Sequence, residues 1–101
     1  MSHESASYEI SHQPNEQRFS TSVDMELCVL DYTLAPTPSG EVMTITHTEV
    51  PPALEGRGIA SALVKTALDH AREQHWKVRP ACSYANAWMR RHPEYEDLRA
   101  S

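Results

Sequence analysis

The stretch VPPALEGRGIASALVKTAL, residues 50–68, decides the fold, because a strand, a glycine turn and a helix meet within it. Gly56 and Gly58 stand on either side of Arg57, and a helical apolar pattern begins directly after them. The first turn of a helix has backbone N–H groups without intrahelical partners, and the peptide dipoles make that end positive. Since glycine has no Cβ, the backbone can approach an anion closely. The stretch predicts either an anion-binding turn or a plain entry into a helix.

The residues after the glycines repeat with helical spacing. Two adjoining apolar rows form a stripe wide enough to lie on a sheet: Ile59, Leu63, Ala67 and Ala71, and beside them Ala60, Val64 and Leu68. Charged residues such as Lys65 and Glu73 are left for water. The pattern predicts a helix over residues 58–74.

The chain before this helix alternates with the period of two that is typical of strands. It predicts strands over residues 8–13, 17–23, 25–34 and 41–50, with residues 35–40 as a loop because they contain two prolines and a glycine. In the fourth strand, strict alternation assigns to one face Val42, Thr44, Thr46, Thr48 and Val50, and to the other Met43, Ile45, His47 and Glu49. Short connections between these strands predict an antiparallel meander.

The chain after the long helix predicts one more strand and one more helix. Residues 76–84 are typical of a short strand that leads into a loop, and residues 85–92 of a second helix that Pro93 ends, before a last helical turn. The order predicts an α+β fold, with a central helix and a short C-terminal helix packed on the meander sheet. At 101 residues the chain is expected to be a single domain, residues 1–101, with residues 1–6 frayed.

Composition narrows the classes of function. The formal net charge is -5, which argues against a surface that neutralises nucleic-acid phosphates. No apolar run is long enough to cross a bilayer and the N-terminus lacks signal-peptide features, so we expect a cytoplasmic protein. In that reducing compartment Cys28 and Cys82 are expected to be free thiols, Cys28 in the core. Four histidines without metal-ligand spacing are expected at the surface, so no metal site is predicted: His3, His12, His70 and His75.

The glycine turn differs from the two common nucleotide motifs. A phosphate loop ends in Gly-Lys-Ser/Thr after a longer spacing, and the dinucleotide motif GxGxxG follows a strand of a βαβ unit rather than a meander. VPPALEGRGIASALV instead resembles the acyl-coenzyme A motif of the GNAT acetyltransferase superfamily, Gln/Arg-x-x-Gly-x-Gly/Ala. The motif maps onto Glu55, Gly56, Arg57, Gly58, Ile59 and Ala60. One departure is Glu55, which replaces the usual Gln or Arg and brings a carboxylate near the phosphates.

The resemblance extends over residues 8–98. With VRPACSYANAWMRRHPEYEDL as its second block, the chain is similar to the small, single-domain YjdJ-type N-acetyltransferases. This implies a GNAT-like fold, acetyl-CoA as the cofactor, and transfer of its acetyl group to a primary amine. It also implies two groups of cofactor-binding residues: Val50, Glu55, Gly56, Arg57, Gly58, Ile59 and Ala60 in the first, and Ser83, Asn86 and Arg90 in the second.

Several residues of the second block have an ordinary alternative. Ser83 and Asn86 are equally typical of residues that organise a helix start, and Arg90 of a solvated basic face. Trp88 and Met89 are expected in the core rather than against the cofactor.

His47 and Glu49 are the candidates for the general base, because they lie two residues apart on one face of the strand that leads into the turn. A histidine titrates close to neutral pH, and a glutamate acts directly or through a water. The alternative for both is a solvated strand position.

Cys82 is the third catalytic candidate. It follows a short strand and precedes a helix, and the resemblance implies that this segment lies near the thioester. A thiol there acts as a nucleophile or as an acid for the leaving thiolate, and a helix N-terminus or a histidine favours its thiolate form. The alternative is an inert thiol packed like a small apolar residue. Direct attack by the amine, without an acyl-enzyme, is the favoured route.

The sequence therefore predicts a monomeric, acetyl-CoA-dependent N-acetyltransferase with an open cleft for a peptide, protein or small amine. No nucleic-acid or membrane partner is expected. Two alternatives stay open. One is a non-catalytic module that binds or senses acyl-CoA, and the other is a protein-interaction domain in which the glycines only form a turn.

Overall fold

A computed structural model describes residues 8–100 of the chain. Its centre is a five-stranded sheet of order β1-β2-β3-β4-β5. The strands are Ser11–Gln13 (β1), Arg18–Val23 (β2), Glu26–Thr37 (β3), Gly40–Glu49 (β4) and Lys77–Pro80 (β5). The first four pair antiparallel, and β5 pairs parallel to β4 after the chain returns through a helix. The predicted α+β meander is confirmed. Residues 1–6 and their predicted fraying, with His3, lie outside the described residues.

Two α-helices pack against the apolar side of the sheet: α1, Ile59–Gln74, and α2, Ser83–Arg91. Short 3-10 helices precede α1 and follow α2, at Pro52–Leu54 and Pro93–Leu98. α1 begins one residue after its predicted start, and its predicted stripe is buried except for half-buried Ala60. Trp88 and Met89 are core residues, as expected, and so is Cys28. Within residues 8–100 no helix is long and apolar enough to span a membrane.

The hairpin between β3 and β4 is tighter than predicted. β3 continues to Thr37, which pairs with Gly40 across a two-residue loop. Proline has no backbone N–H to donate to a neighbouring strand. Pro36 is tolerated in β3 because β2 pairs with β3 only as far as Asp31, so no strand on that side requires a hydrogen bond from Pro36. The prediction of a loop over residues 35–40 was therefore wrong except at residues 38 and 39.

A β-bulge breaks the strict alternation predicted for β4. Asp31 of β3 pairs with His47, whereas the next residue, Tyr32, pairs with Ile45, so Thr46 is an extra residue without a partner in the ladder. A bulge of this kind shifts the phase of the side chains that follow it. Thr48, opposite buried Leu30, therefore lies on the core face with Met43 and Ile45. His47 and Glu49 lie together on the opposite face, separated from Met43 and Ile45, with which alternation had grouped them.

Two of the histidines expected at the surface belong to an aromatic cluster at the edge of the core. His12 stacks on Phe19 with ring centroids 4.1 Å apart, and His70 packs edge-on against His12 with ring centroids 4.6 Å apart. His12 Nε2 also shares a 2.6 Å hydrogen bond with the Tyr32 hydroxyl. Burial, and secondarily the charge of His70, lower the pKa of His12. The surface prediction was wrong for these two residues, while His75 is exposed at the end of α1.

Candidate functional site: a cleft at the start of α1

A cavity of about 580 Å³ lies where β4 ends and α1 begins. Its walls consist of residues 48–50, 54–56 and 58–61, together with Tyr84 of α2. Most of the first predicted cofactor group lines it: Val50, Glu55, Gly56, Gly58, Ile59 and Ala60. The sequence stretch that predicts an anion-binding turn thus forms one wall of a cleft large enough for part of an organic ligand.

The turn itself has the geometry of an open helix start. Gly56 and Gly58 have φ angles of 86° and 80°, in the left-handed region that glycine tolerates best. A Cβ at either position would meet nothing within 4 Å, so backbone conformation rather than crowding requires the glycines. No described side chain caps α1 at Gly58, and the first intrahelical bond runs from the Ala62 amide to the Gly58 carbonyl, at 3.0 Å. The amides of residues 59–61 therefore lack intrahelical acceptors and can bind an anion.

The charged residues of the turn point to different places. Glu55 lines the cavity, as does Glu49 at the end of β4. Arg57 is not among the lining residues. Its Nη1 donates to Asp24 Oδ2 at 3.1 Å, and its carbonyl accepts a 2.7 Å hydrogen bond from the Tyr8 hydroxyl. The phosphate-binding charge that the sequence assigns to Arg57 is thus directed towards the β2–β3 turn.

Next to the cavity, β4 and β5 separate. Their ladder ends at the pair Ile45 and Pro80, and the Ile45 carbonyl then accepts from both the Ala81 and the Cys82 amides, at 3.0 and 3.1 Å. Beyond the bulge, β4 runs on without a described β5 partner as far as Glu49. A gap between the two strands therefore adjoins the cleft.

Cys82 lies on the far side of this gap. Its Sγ is 3.5 Å from the Thr48 hydroxyl, and Thr48 lines the cavity. The thiol also serves as the N-cap of α2, because it accepts a 3.4 Å hydrogen bond from the Ala85 amide. Ser83, for which organising the helix start was the alternative role, is the first residue of the helix and not its cap. A half-buried thiol therefore lies beside the cleft and at a helix N-terminus.

His47 and Glu49 form a pair on the opposite face of the sheet from the helices. His47 Nε2 lies 3.2 Å from Glu49 Oε1, and both side chains are more than half exposed. Glu49 also lines the cavity, so the pair lies at the edge of the cleft. The contact between them agrees with the interpretation that they lie on one face of β4.

Tyr84, Ser61 and Trp88 join α2 to the start of α1. Trp88 Nε1 donates to Ser61 Oγ at 2.8 Å, and both Ser61 and Tyr84 line the cavity. Burial raises the pKa of Tyr84 and a neighbouring arginine partly offsets the effect, so its hydroxyl keeps its proton at neutral pH. The phenol can therefore donate a proton or a hydrogen bond within the cleft.

The second predicted cofactor group does not line this cavity. Asn86 Oδ1 accepts a 3.0 Å hydrogen bond from Arg99 Nη1, which ties the C-terminal segment to α2. Arg90 is exposed near the end of α2, and Ser83 is exposed at its start. The structure thus brings together the first group and Tyr84, with Cys82 and the His47–Glu49 pair at the edges.

Comparison with known proteins decides the family. The family model of the GCN5-related N-acetyl-transferase domain matches residues 18–98, which include every strand and helix from β2 to the C-terminal 3-10 helix. The chain belongs to the GCN5-related N-acetyltransferase family. The resemblance inferred from the glycine turn is confirmed at this level.

Relatives agree with membership in the GCN5-related family. The chain is 30% identical over 93 residues to protein NATD1 of Xenopus tropicalis, covering 88% of this chain and 81% of that protein. With human NATD1 it is 40% identical over 52 residues, which cover 52% of this chain and 46% of the human protein. A GCN5-like protein from Staphylococcus aureus, solved by NMR, superposes with a TM-score of 0.71 at 27% identity, over 93% of this chain and 89% of the other.

A more distant structure shows the shared fold alone. The ribosomal-protein-alanine N-acetyltransferase of Brucella melitensis superposes with a TM-score of 0.55 at 24% identity, over 83% of this chain and 62% of that one. Both the family model and the solved structures therefore confirm the predicted fold class.

Sequence reasoning missed part of the cleft of this GCN5-related chain. Thr48 and Ser61 carry no signal of their own, since the bulge that turns Thr48 inwards is invisible in the alternation of β4. Tyr84 lies in the cleft because α2 packs beside the start of α1, which no local pattern around it predicts. Tyr8 and Asp24 reach the turn from 49 and 33 residues away, which no local pattern predicts.

Proposed function

We propose that this GCN5-related protein transfers an acetyl group from acetyl-CoA to a primary amine, by direct attack at the gap between β4 and β5. The observation that carries the proposal is the open start of α1, with two left-handed glycines, beside the point where the two strands separate. An anion site and an opening through the sheet are what a CoA-dependent transfer to a second substrate requires.

The residues of the cleft fit the diphosphate of CoA. The amides of residues 59–61 supply donors, the helix dipole supplies positive potential, and the space beside both glycines is free. Glu49 and Glu55 oppose an anion, because both carboxylates belong to residues of the cavity wall. A solved protein from Clostridium acetobutylicum carries acetyl-CoA on a similar fold, with a TM-score of 0.50 at 15% identity.

Proton transfer is assigned to residues on the two sides of the gap. Bound acetyl-CoA supplies the acetyl group as a thioester, which a neutral amine attacks with release of the CoA thiolate. We assign to the His47–Glu49 pair the removal of the proton from the ammonium form of the acceptor. Tyr84, protonated at neutral pH, is suited to donate a proton towards the thiolate.

Cys82 has a positioning role in this proposal. Its thiol caps α2 and contacts Thr48, and these two contacts account for its place without an acyl-enzyme. Direct attack then depends on bringing the amine and the thioester together, which by itself accounts for a large part of such rate enhancements.

The acceptor approaches from the face that carries His47 and Glu49. This face is polar near the gap. Asp31, the partner of His47 in the β3–β4 ladder, forms an ion pair with Arg18 in which Oδ1 and Nε are 2.7 Å apart. An exposed amine of a peptide, of a protein or of a small molecule suits such an open face. We keep this substrate class broad.

The test combines ligand binding with transfer. A saturating excess of about 100 times the Kd of acetyl-CoA stabilises a single-site protein by about 2.7 kcal/mol, which appears as a rise in Tm. Transfer of labelled acetyl to a panel of amines is expected, and removal of the base in His47→Ala or Glu49→Ala lowers kcat by roughly 10²- to 10⁴-fold. Cys82→Ala is expected to keep transfer, whereas an acyl-enzyme route requires the thiol. No rise in Tm and no labelled product contradict the proposal.

A second candidate is a module that binds acyl-CoA without catalysis. The presence of Glu49 and Glu55 among the residues of the cavity wall favours it, because weak cofactor binding suits a sensor of high cofactor concentration. A rise in Tm with acetyl-CoA, together with no transfer to any amine, identifies this function instead.

A further inference from the structure

Arg57, between the two left-handed glycines, is held from two sides. The Tyr8 hydroxyl donates to its carbonyl at 2.7 Å, and its own Nη1 donates to Asp24 Oδ2 at 3.1 Å. Its backbone thus binds one distant segment and its side chain another. The acyl-coenzyme A motif assigns no function to either contact.

Tyr8 is itself fixed, so it can hold the turn in place. Its ring packs against the hydrophobic core. The next residue, Glu9, accepts a 2.9 Å hydrogen bond through its carbonyl from the buried Thr21 hydroxyl. The Tyr8 hydroxyl therefore fixes the peptide between Arg57 and Gly58, directly before the amides of α1.

Asp24 is placed by a tight hairpin. Val23 pairs with Glu26, and the two residues between them, Asp24 and Met25, have φ angles of 52° and 65°. Such a turn matches the twist of the strands but constrains residues that are not glycine. The Asp24 and Arg57 side chains are 63% and 49% exposed, so their ion pair is weak. Another anion can therefore readily replace Asp24 as the partner of Arg57.

The described wall of the cleft carries no cation of its own, which leaves Arg57 of the adjoining turn as the candidate counter-charge for an anion. The cavity wall carries Glu49 and Glu55, while none of its described residues is a lysine or an arginine. Arg57 lies within the turn, yet its guanidinium is engaged by Asp24. An anion at the start of α1 and the Asp24 carboxylate therefore compete for the same charge.

We propose that Tyr8 and Asp24 act through Arg57 in opposite directions on the affinity of the turn for a diphosphate. Tyr8 is a positioning residue that keeps the amides of α1 in their binding geometry. Asp24 is a competitor that withdraws the guanidinium of Arg57 from the bound phosphates. This inference rests on the proposed cofactor function.

The first test removes the hydroxyl of Tyr8. In Tyr8→Phe one neutral hydrogen bond is lost, and the Kd for acetyl-CoA and for inorganic pyrophosphate is expected to rise roughly three- to tenfold in calorimetric titrations. The KM for acetyl-CoA rises with the Kd, while kcat changes less. Amide hydrogen exchange at residues 62–64, whose amides make the first hydrogen bonds of α1, is expected to accelerate in the protein without ligand. Tyr32→Phe is the matched control, since it removes a hydroxyl bonded to His12, away from the turn.

The second test neutralises Asp24. Asp24→Asn is expected to lower the Kd for both probes about two- to fivefold, the size of a surface ion pair. The gain disappears when Arg57→Gln is present, because the competition requires the guanidinium. Asp97→Asn is the matched control, since it removes the same charge from an ion pair with Arg72. A general effect of net charge would lower the Kd equally in this control.

The outcomes separate this inference from the proposed function. Unchanged Kd values and unchanged amide exchange in Tyr8→Phe overturn the role of Tyr8. Equal effects of Asp24→Asn and Asp97→Asn, or a gain that persists with Arg57→Gln, overturn the competition. If the natural chain binds neither probe, the cofactor function and the competition fail together. Amide exchange at residues 62–64 then decides the role of Tyr8 alone.

Discussion

The protein has two junctions at which a strand leads into a helix, and they treat the helix start in opposite ways. At the first, Gly58 gives α1 no side-chain cap among the described residues, so its first amides face the cleft. At the second, Cys82 caps α2 with its own sulfur. The difference separates two tasks. An open start is free to bind an external anion, whereas a start capped from within holds its helix, and with it Tyr84, in a fixed place.

The largest expected effect comes from breaking the open junction. Gly58→Ala puts a Cβ on a residue with φ of 80°, which costs about 1–2 kcal/mol and moves the amides that follow. We expect acetyl-CoA to bind more than about tenfold more weakly, since 1.4 kcal/mol is one decade in Kd. Calorimetric titration measures this change.

The control for Gly58→Ala is Gly40→Ala. Gly40 also has a positive φ, of 120°, but lies in the β3–β4 hairpin, away from the cleft. It should lower Tm and leave the Kd unaltered. Equal losses of affinity in both variants would mean that strain, rather than the open helix start, determines binding.

Removing the Cys82 cap of α2 is expected to have an effect of intermediate size, and the effect is on the stability of the protein. Cys82→Ala removes the acceptor for the Ala85 amide and should destabilise the protein by about 1 kcal/mol, as loss of an N-cap usually does. Cys82→Ser restores an acceptor and should recover most of that stability in denaturant unfolding. If serine is no more stable than alanine, the sulfur is a packing group and the contrast between the junctions is weaker than described.

A smaller effect is expected from the carboxylate at the open junction. Glu55→Gln removes a negative charge from the cavity wall, so the Kd of acetyl-CoA should fall about two- to fivefold at low salt, for a gain below about 1 kcal/mol. Glu94→Gln, an exposed change in the C-terminal 3-10 helix, is the matched control. An equal fall in both variants would assign the effect to net charge.

The last prediction concerns pH and leaves both junctions intact. Burial lowers the pKa of His12 in the folded protein, so the unfolded chain binds more protons as the pH falls below the ordinary value of a histidine. Stability is therefore complete above about pH 6.5 and decreases as the pH falls through that value towards the lowered pKa. The decrease in Tm between neutral and mildly acidic pH should be smaller in His12→Gln. An identical pH dependence in that variant would contradict the prediction.

Sequence alone predicted the open junction better than the capped one. The apolar stripe of α1 and the glycines before it are local signals, and they gave the helix start to within one residue. For the start of α2 the sequence offered Ser83 or Asn86 as the residue that organises it, whereas the thiol of Cys82 fills the cap position. The role of the first junction in binding stays a prediction, as do the roles of His47, Glu49 and Cys82.

The remaining errors have a common physical cause. The extension of β3 through Pro36, the bulge at Thr46 and the aromatic cluster of His12 all depend on what a neighbouring strand or helix provides. Local patterns do not contain that information. The orientation of Arg57 was unpredictable for the same reason, since Asp24 is brought to it by the sheet.

Thr46, which has no partner in the β3–β4 ladder, divides β4 into two paired segments. The half before it is anchored by buried Met43 and Ile45, and the half after it carries His47 and Glu49. Both halves pair with β3, but the extra residue shifts the second half by one position, so His47 and Glu49 face away from the side that Met43 and Ile45 occupy. One inserted residue therefore determines which side chains of β4 face an acceptor at the gap, without any change to the hydrophobic interior.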